Sequence, residues 1–250
     1  MTNSFARNQI IKLDTVDSTN KYAQGLLKKE KIDEGTVIVA GVQLEGKGQG
    51  GNLWESGANK NLTMSIILRP VFLLPEKQFQ LNKIIALAVY DFVKNILKEQ
   101  FVKIKWPNDI YFENRKIAGI LIENSILGNS FDNSVVGIGV NVNQIDFKSD
   151  APNPVSLRNI TGENYNLDDC LTDLIACIEH RYLLLKSKQD NVINSDYLNA
   201  LYKFQSYSKF KSKIKIFEAK ITGVSEFGKL ILENRENEKF EFNFKEVEFI

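Results

Sequence analysis

Four glycines fall within six residues at Gly46-Lys47-Gly48-Gln49-Gly50-Gly51, directly after the β-branched run Thr36–Val42. Glycines let backbone N–H groups come close to an anion, and Lys47 adds a positive charge, so this loop suits a phosphate or a carboxylate. It matches G-x-G-x-x-G formally. A dinucleotide fold needs that loop to open a helix, however, and here Asn52-Leu53-Trp54-Glu55-Ser56-Gly57 and another strand-like run follow. The Walker pattern fails too, because no Gly-Lys-Ser/Thr closes the loop. Lys105-Trp106-Pro107-Asn108-Asp109 sets an amide and a carboxylate beside a lysine, in a string that is also good turn chemistry. Lys116 heads the apolar strand Ile117–Ile122, where it either snorkels to the surface or meets an anion. Gly137-Ile138-Gly139-Val140-Asn141-Val142-Asn143 puts glycines at alternate strand positions, leaving one sheet face bare for a ligand or another backbone element. Together these features read as one anion-binding pocket on a sheet.

The elements that must hold this pocket follow from periodicity. Strand-like sequence begins near Ile10, and Asp17-Ser18-Thr19-Asn20 reads as a helix start followed by the apolar stripe Tyr22, Ala23, Leu26 and Leu27. Leu62–Leu68 is a strand closed by Pro70. Helical spacing of Leu81, Ile84, Ile85, Ala88, Val89, Phe92, Ile96 and Leu97 predicts a helix over Gln78–Glu99. Strands are expected at Val102–Trp106, Ile110–Phe112, Lys116–Ile122 and Val135–Val142, with a turn at Glu113-Asn114-Arg115 and a loop at Gln144–Pro154. A second helix is predicted over Leu167–Lys186. Beyond Tyr207 the pattern becomes short alternating strands at Lys211–Phe217, Ala219–Val224, Leu230–Asn234 and Lys239–Phe244, a small barrel docked on the main domain. Strands and helices mix without regular alternation before it, so the class is α+β.

The chain has 250 residues, 43% hydrophobic and 25% charged, with a net charge of +1. That is ordinary globular composition, and no whole-protein field recruits nucleic acid or an acidic membrane. With one histidine, His180, and two cysteines, Cys170 and Cys177, zinc sites and histidine-activated nucleophiles have almost nothing to draw on. His180 lies off its helix's apolar stripe and reads as solvated. The cysteines sit seven residues apart on one predicted helix, roughly 10 Å, too far for a disulfide. Reduced thiols, a polar Met1–Asn8 and no membrane-length apolar run lead to the expectation of a cytoplasmic protein, with neither nucleic acid nor membrane as partner.

Asp17–Asn20, Gln43, Gly46–Gly51 with Trp54, Lys105–Asp109, Arg115–Glu123 and Gly137–Asn141, taken in this order, resemble the biotin–protein ligase family from about residue 12 to 143. The resemblance is to its monofunctional type, since strand-like sequence from Ile10 leaves no room for a DNA-binding domain in front. It implies a mixed-sheet catalytic domain of the biotin/lipoate ligase type over residues 1–190, a linker at 191–206, and a small Src-homology-3-like β-barrel at 207–250. It also implies a two-step reaction. Biotin's carboxylate attacks the α-phosphate of ATP to give biotinyl-adenylate, and a lysine of a biotin carboxyl carrier protein, from acetyl-CoA carboxylase or a related carboxylase, then takes the biotin.

Site roles carry over with the motifs. Ser18, Thr19, Asn20 and Gln43, with Lys47, Gly48, Gln49, Lys116, Gly119 and Gly137, are expected to bind biotin. Lys47, Gln49, Asn52, Trp54, Asn108, Lys116 and Asn141 are expected to bind ATP, Trp54 sheltering its adenine end. Lys116 bridges carboxylate and phosphate, Lys47 assists, and Asp109 orients or deprotonates the carrier lysine. Mg2+ is expected to arrive mainly through the ATP phosphates, with no metal site of the protein's own. The family's loop often carries arginines where Lys47, Gln49 and Gly50 stand, and lysine makes no bidentate phosphate fork. Lipoate or octanoate–protein ligases share the fold but typically carry an arginine pair and a histidine in the early motifs, which are missing here. A non-catalytic biotin-binding protein is the other alternative, and it needs neither Lys116 nor Asp109. Whether the chain is a monomer or a homodimer stays open.

Overall fold

The computed structural model describes residues 9–98, 101–148 and 153–250. Met1–Asn8, the expected helix end at Glu99 and residues 149–152 of the expected loop lie outside them. In chain order the elements are β1 (Ile10–Val16), α1 (Thr19–Leu27), β2 (Val37–Gln43), β3 (Leu62–Leu68), α2 (Gln78–Leu97), β4 (Val102–Lys105), β5 (Asp109–Phe112), β6 (Arg115–Leu127) and β7 (Ser130–Val140). They are followed by α3 (Leu157–Thr161), α4 (Leu167–Lys186), α5 (Asp190–Ala200), β8 (Ser208–Ser212), β9 (Ile216–Val224), β10 (Leu230–Glu233), β11 (Lys239–Phe242) and β12 (Val247–Phe249).

The first sheet has the order β1-β2-β3-β7-β6-β5-β4. Its one parallel pair, β1 with β2, is joined by the α1 crossover, and the other pairs are antiparallel. Alternation along the strands gives the sheet two unlike faces. Leu62, Met64, Ile66 and Leu68 of β3, with Val136, Ile138 and Val140 of β7, bury against α2 and α4 in the main core. The opposite face carries Thr63 and Ser65 of β3, Gly119, Leu121 and Glu123 of β6, and Gly137 and Gly139 of β7. Only part of that face is covered, by α1 and the small core of Ala23, Ile32, Ile38, Ile67 and Val135. The uncovered part is where a site can be built.

The second sheet, β11-β10-β9-β8-β12, is antiparallel throughout. Its Phe210, Ala219, Ile221, Leu230, Leu232 and Val247 join the same apolar cluster as α2, so the two sheets are packed together. Among the described residues, no helix is long and apolar enough to cross a membrane. Cys170 and Cys177 are free. Burial, with nearby aspartates, pushes both thiols up to about 11, so they are poor nucleophiles.

Besides α3 and β12, which have no counterpart in the sequence reading, three segments differ from it. Residues 191–206 are not a bare connector, because α5 fills 190–200 and buries Ile193, Tyr197 and Ala200 on one stripe. That stripe is thin, and the polar residues around it mask the period. The strand expected at Lys211–Phe217 is broken by a turn, in which the Ser212 hydroxyl accepts from the backbone N–H of Ile214 and Lys215. Finally, β6 and β7 run on well past Ile122, to a tip at Gly128.

Candidate active site

At the start of α1, Ser18 takes the N-cap position with extended backbone (φ −153°, ψ 134°), and its side chain makes no capping hydrogen bond. Ser18 instead lines a cleft on the open sheet face. The next residue, Thr19, donates its backbone N–H (2.8 Å) and its hydroxyl (3.1 Å) to Gln43 Oε1 at the end of β2. With its oxygen occupied, Gln43 has its Nε2 amide left as a donor. Asn20 is buried and its carboxamide is fully engaged: Nδ2 donates to Glu123 Oε2 (2.7 Å) and Leu121 O (3.3 Å), and Oδ1 accepts from the Ser65 hydroxyl (2.6 Å). Ser65 also lies 2.7 Å from Thr19 Oγ1. Asn20 therefore organises the polar end of the cleft.

The bare stripe of glycines receives the protein's own side chains. A β-carbon on Gly137 would lie 3.0 Å from Asn20 Cγ, and one on Gly139 would lie 2.5 Å from Trp54 Cζ2 and 2.6 Å from Nε1. One on Gly119 would lie 3.1 Å from Trp54 Cζ3. The Trp54 indole thus rests on the sheet over Gly119 and Gly139, with its N–H buried and unpartnered. It is delivered there by the glycine loop, which is drawn into a tight double turn by Trp54 N–H on Gly46 O (2.8 Å) and Gly48 N–H on Asn52 O (2.7 Å). Beyond the turn, buried Gln144 accepts from Gly57 N–H (2.7 Å) and Asn61 Nδ2 (2.6 Å) and donates to Glu55 (3.1 Å), which fixes the far hinge of the loop.

Facing Trp54, Lys116 Nζ sits 2.7 Å from Asp109 Oδ1, each side chain 23% exposed. Strand register explains the pair: β5 and β6 bulge between Ile110 and Tyr111, which sets Asp109 opposite Gly119 and Tyr111 opposite Lys116. Lys116 Nζ is also 5.7 Å from the centre of the Trp54 ring. Asn108, which bonds the backbone of Ile120 through its side chain (2.6 Å) and its own C=O (3.0 Å), holds Asp109 in place. Lys105 points elsewhere, onto Tyr111 Oη (3.0 Å). Burial lowers its pKa, and burial raises that of Tyr111 to about 12.

Of the residues expected from the sequence, Ser18, Thr19, Asn20, Gln43, Lys47, Gly48, Gln49, Trp54, Asn108, Asp109, Lys116, Gly119 and Gly137 line this single cleft. Asn52 closes the loop turn outside it, and Asn141 is buried beside it, donating to Val155 O (3.1 Å). Ser65, Glu123 and Gln144 are the contributors that the sequence does not announce. The space left between these groups is about 50 Å³, whereas a bicyclic ligand takes a pocket of several hundred. The loop must lift to admit a ligand. A larger groove, about 630 Å³, opens on the second sheet near Phe217, Phe240 and Phe242. Two of its charged lining residues, Glu218 and Arg235, pair with each other.

Residues 13–141 match the Biotin/lipoate A/B protein ligase family. The chain belongs to that family. Its curated relatives include a bifunctional ligase/repressor BirA of Bacillus spizizenii, 30% identical over 233 residues that span 92% of this chain and 71% of the relative. A biotin–[acetyl-CoA-carboxylase] ligase of Paracoccus denitrificans is 32% identical over 169 residues, 66% of this chain and 68% of that one. Among solved structures, the biotin protein ligase of Aquifex aeolicus in complex with biotin and ATP superposes with a TM-score of 0.80 at 27% identity, covering 97% of this chain and 98% of its own. The Aquifex aeolicus structure spans both sheets, and the cleft sits within the residues that the family match covers.

Proposed function

We propose that the chain activates biotin with ATP and transfers it to a lysine of a biotin carboxyl carrier domain, such as that of a carboxylase. The observation that carries this reading is the Lys116–Asp109 pair held beneath Trp54, at one end of a cleft whose other end is the Ser18, Thr19 and Gln43 polar cluster. A fused-ring urea with an acidic tail is complementary to that layout: donors and acceptors at the head, apolar indole along the tail, a cation at the carboxylate.

In the first step a carboxylate oxygen bonds to the α-phosphorus of ATP, and the bond to pyrophosphate breaks. Carboxylate and phosphate brought to about 4 Å repel by roughly 4 kcal/mol per charge pair at an effective dielectric near 20. Lys116 and the loop's Lys47 and backbone N–H groups offset this repulsion as it develops. In the second step the carrier amine attacks the anhydride carbonyl, AMP leaves, and Asp109 takes the amine's proton. Asp109 is the one carboxylate in the described lining, so a magnesium ion would be held there chiefly by ATP and would supply neutralisation of phosphate charge. We assign this chemistry to the first sheet and the loop, and a cytoplasmic setting suits the two free thiols.

Biotin-dependent exchange of labelled pyrophosphate into ATP tests the reading. Exchange with biotin supports it, exchange with lipoate instead moves the substrate to the sister branch of the family, and no exchange with either overturns it.

A further inference from the structure

The cleft must open and reclose around each ligand, so something has to define the closed loop. We propose that Lys245, from the second sheet, is a positioning residue that fastens the glycine loop shut; the function of that closure rests on the ligase reading above. Lys245 Nζ donates to Gly50 O at 2.6 Å, across 195 residues of sequence. Gly50 is shaped to receive it. Its φ is +68°, and a β-carbon there would stand 2.5 Å from Lys245 Cε, 2.7 Å from Nζ and 3.1 Å from Phe244 Cε1. The lysine itself is held at φ +67°, a left-handed conformation that side-chain-bearing residues rarely adopt. The turn between β11 and β12 keeps it there: Glu246 accepts from Asn243 N–H (2.6 Å) and its side-chain amide (3.2 Å).

The platform beneath the latch reaches the catalytic strand. Phe244 packs edge-on against Trp106, 6.5 Å between ring centres, and Trp106 Nε1 donates to Gly228 O at 2.9 Å. Trp106 belongs to the same string as Asp109, so the second sheet registers on the catalytic segment and holds the loop from one rigid base.

The latch is tested on the full chain with two readouts. In ligand-free protein, trypsin cleavage after Lys47 should speed about fivefold in Lys245→Met, the scale of one exposed charge-assisted hydrogen bond, and return to within twofold in Lys245→Arg. Release of biotinyl-adenylate should accelerate by the same factor, with the thermal midpoint unchanged because Lys245 is exposed. Gly50→Ala should give a like effect, and the Gly50→Ala/Lys245→Met double variant should show less than the product of the two. Unchanged cleavage and release in Lys245→Met overturn the latch. A wild-type chain that makes no adenylate refutes the ligase reading instead, and the cleavage readout still decides the latch.

Discussion

Gly139→Ala places one methyl group where the indole of Trp54 now rests. The backbone tolerates it, since Gly139 sits in regular pairing with Thr63 and Gly119. The ring does not. The new β-carbon would lie 2.5 Å from Trp54 Cζ2 and closer still to Cε2, whereas ordinary contact begins near 3.4 Å, so the indole must retreat by about 1 Å or leave the sheet. A tryptophan buries 150–250 Å², and re-exposing about 100 Å² of it costs about 2.5 kcal/mol at 25 cal/mol per Å². That figure shifts the closed-to-open ratio of the loop about seventyfold. Trypsin cleavage after Lys47 in the ligand-free protein should speed by up to that factor. Tryptophan emission should move to the red, with buried Trp106 as the constant background. Gly25→Ala, whose β-carbon meets nothing within 4 Å, is the matched control. A Gly139→Ala protein with unchanged emission and cleavage would refute the placement of Trp54 as the closing element.

Other consequences follow from the same geometry. Lys116→Ala should slow single-turnover adenylate formation about a thousandfold, from roughly 4 kcal/mol of uncompensated repulsion, while the unfolding midpoint holds; a fully active variant would reduce Lys116 to a snorkelling lysine. Ser65→Ala deprives buried Asn20 Oδ1 of its donor, so the KM for biotin should rise about tenfold with kcat little changed. An effect on kcat alone would mean that the Asn20 network does not serve the head of the cleft. Tyr111 supplies a pH signature. Burial raises its pKa from 10.0 to about 12, so the folded chain keeps a proton that the unfolded chain loses first, and stability present below pH 10 falls between pH 10 and 12. Tyr111→Phe should flatten that part of a urea-stability profile, by up to about 2 kcal/mol, and an unaltered slope would contradict the assignment.

The parts of the site that the sequence displays are those built from rare residue combinations. Lys47 among glycines, the Lys105–Asp109 string and the alternate glycines of β7 stand out against their surroundings, and all point to one sheet face. Ser65 does not stand out, because β3 is buried along its whole length and a single serine in a mostly apolar strand is ordinary. Its role appears only when the period-two alternation is tied to a particular neighbour, α1. Glu123 lies at the end of a motif that is legible, but its partner Asn20 is 103 residues away. The alternate glycines correctly mark a close approach. What approaches is Asn20 and Trp54, which no local pattern could reveal. The α5 helix is hidden by its polar exterior, and the Ser212 turn by the alternating lysines on either side, which mimic one continuous strand.

The central claim is that this cleft joins biotin to a carrier lysine at the expense of ATP. The most direct measurement is the intact mass of a biotin carboxyl carrier domain incubated with the chain, biotin, ATP and magnesium. A mass increase of one biotinyl group on a single lysine is expected, dependent on ATP and lost in Lys116→Ala. A carrier whose mass stays unchanged while the folded chain binds biotin would contradict it.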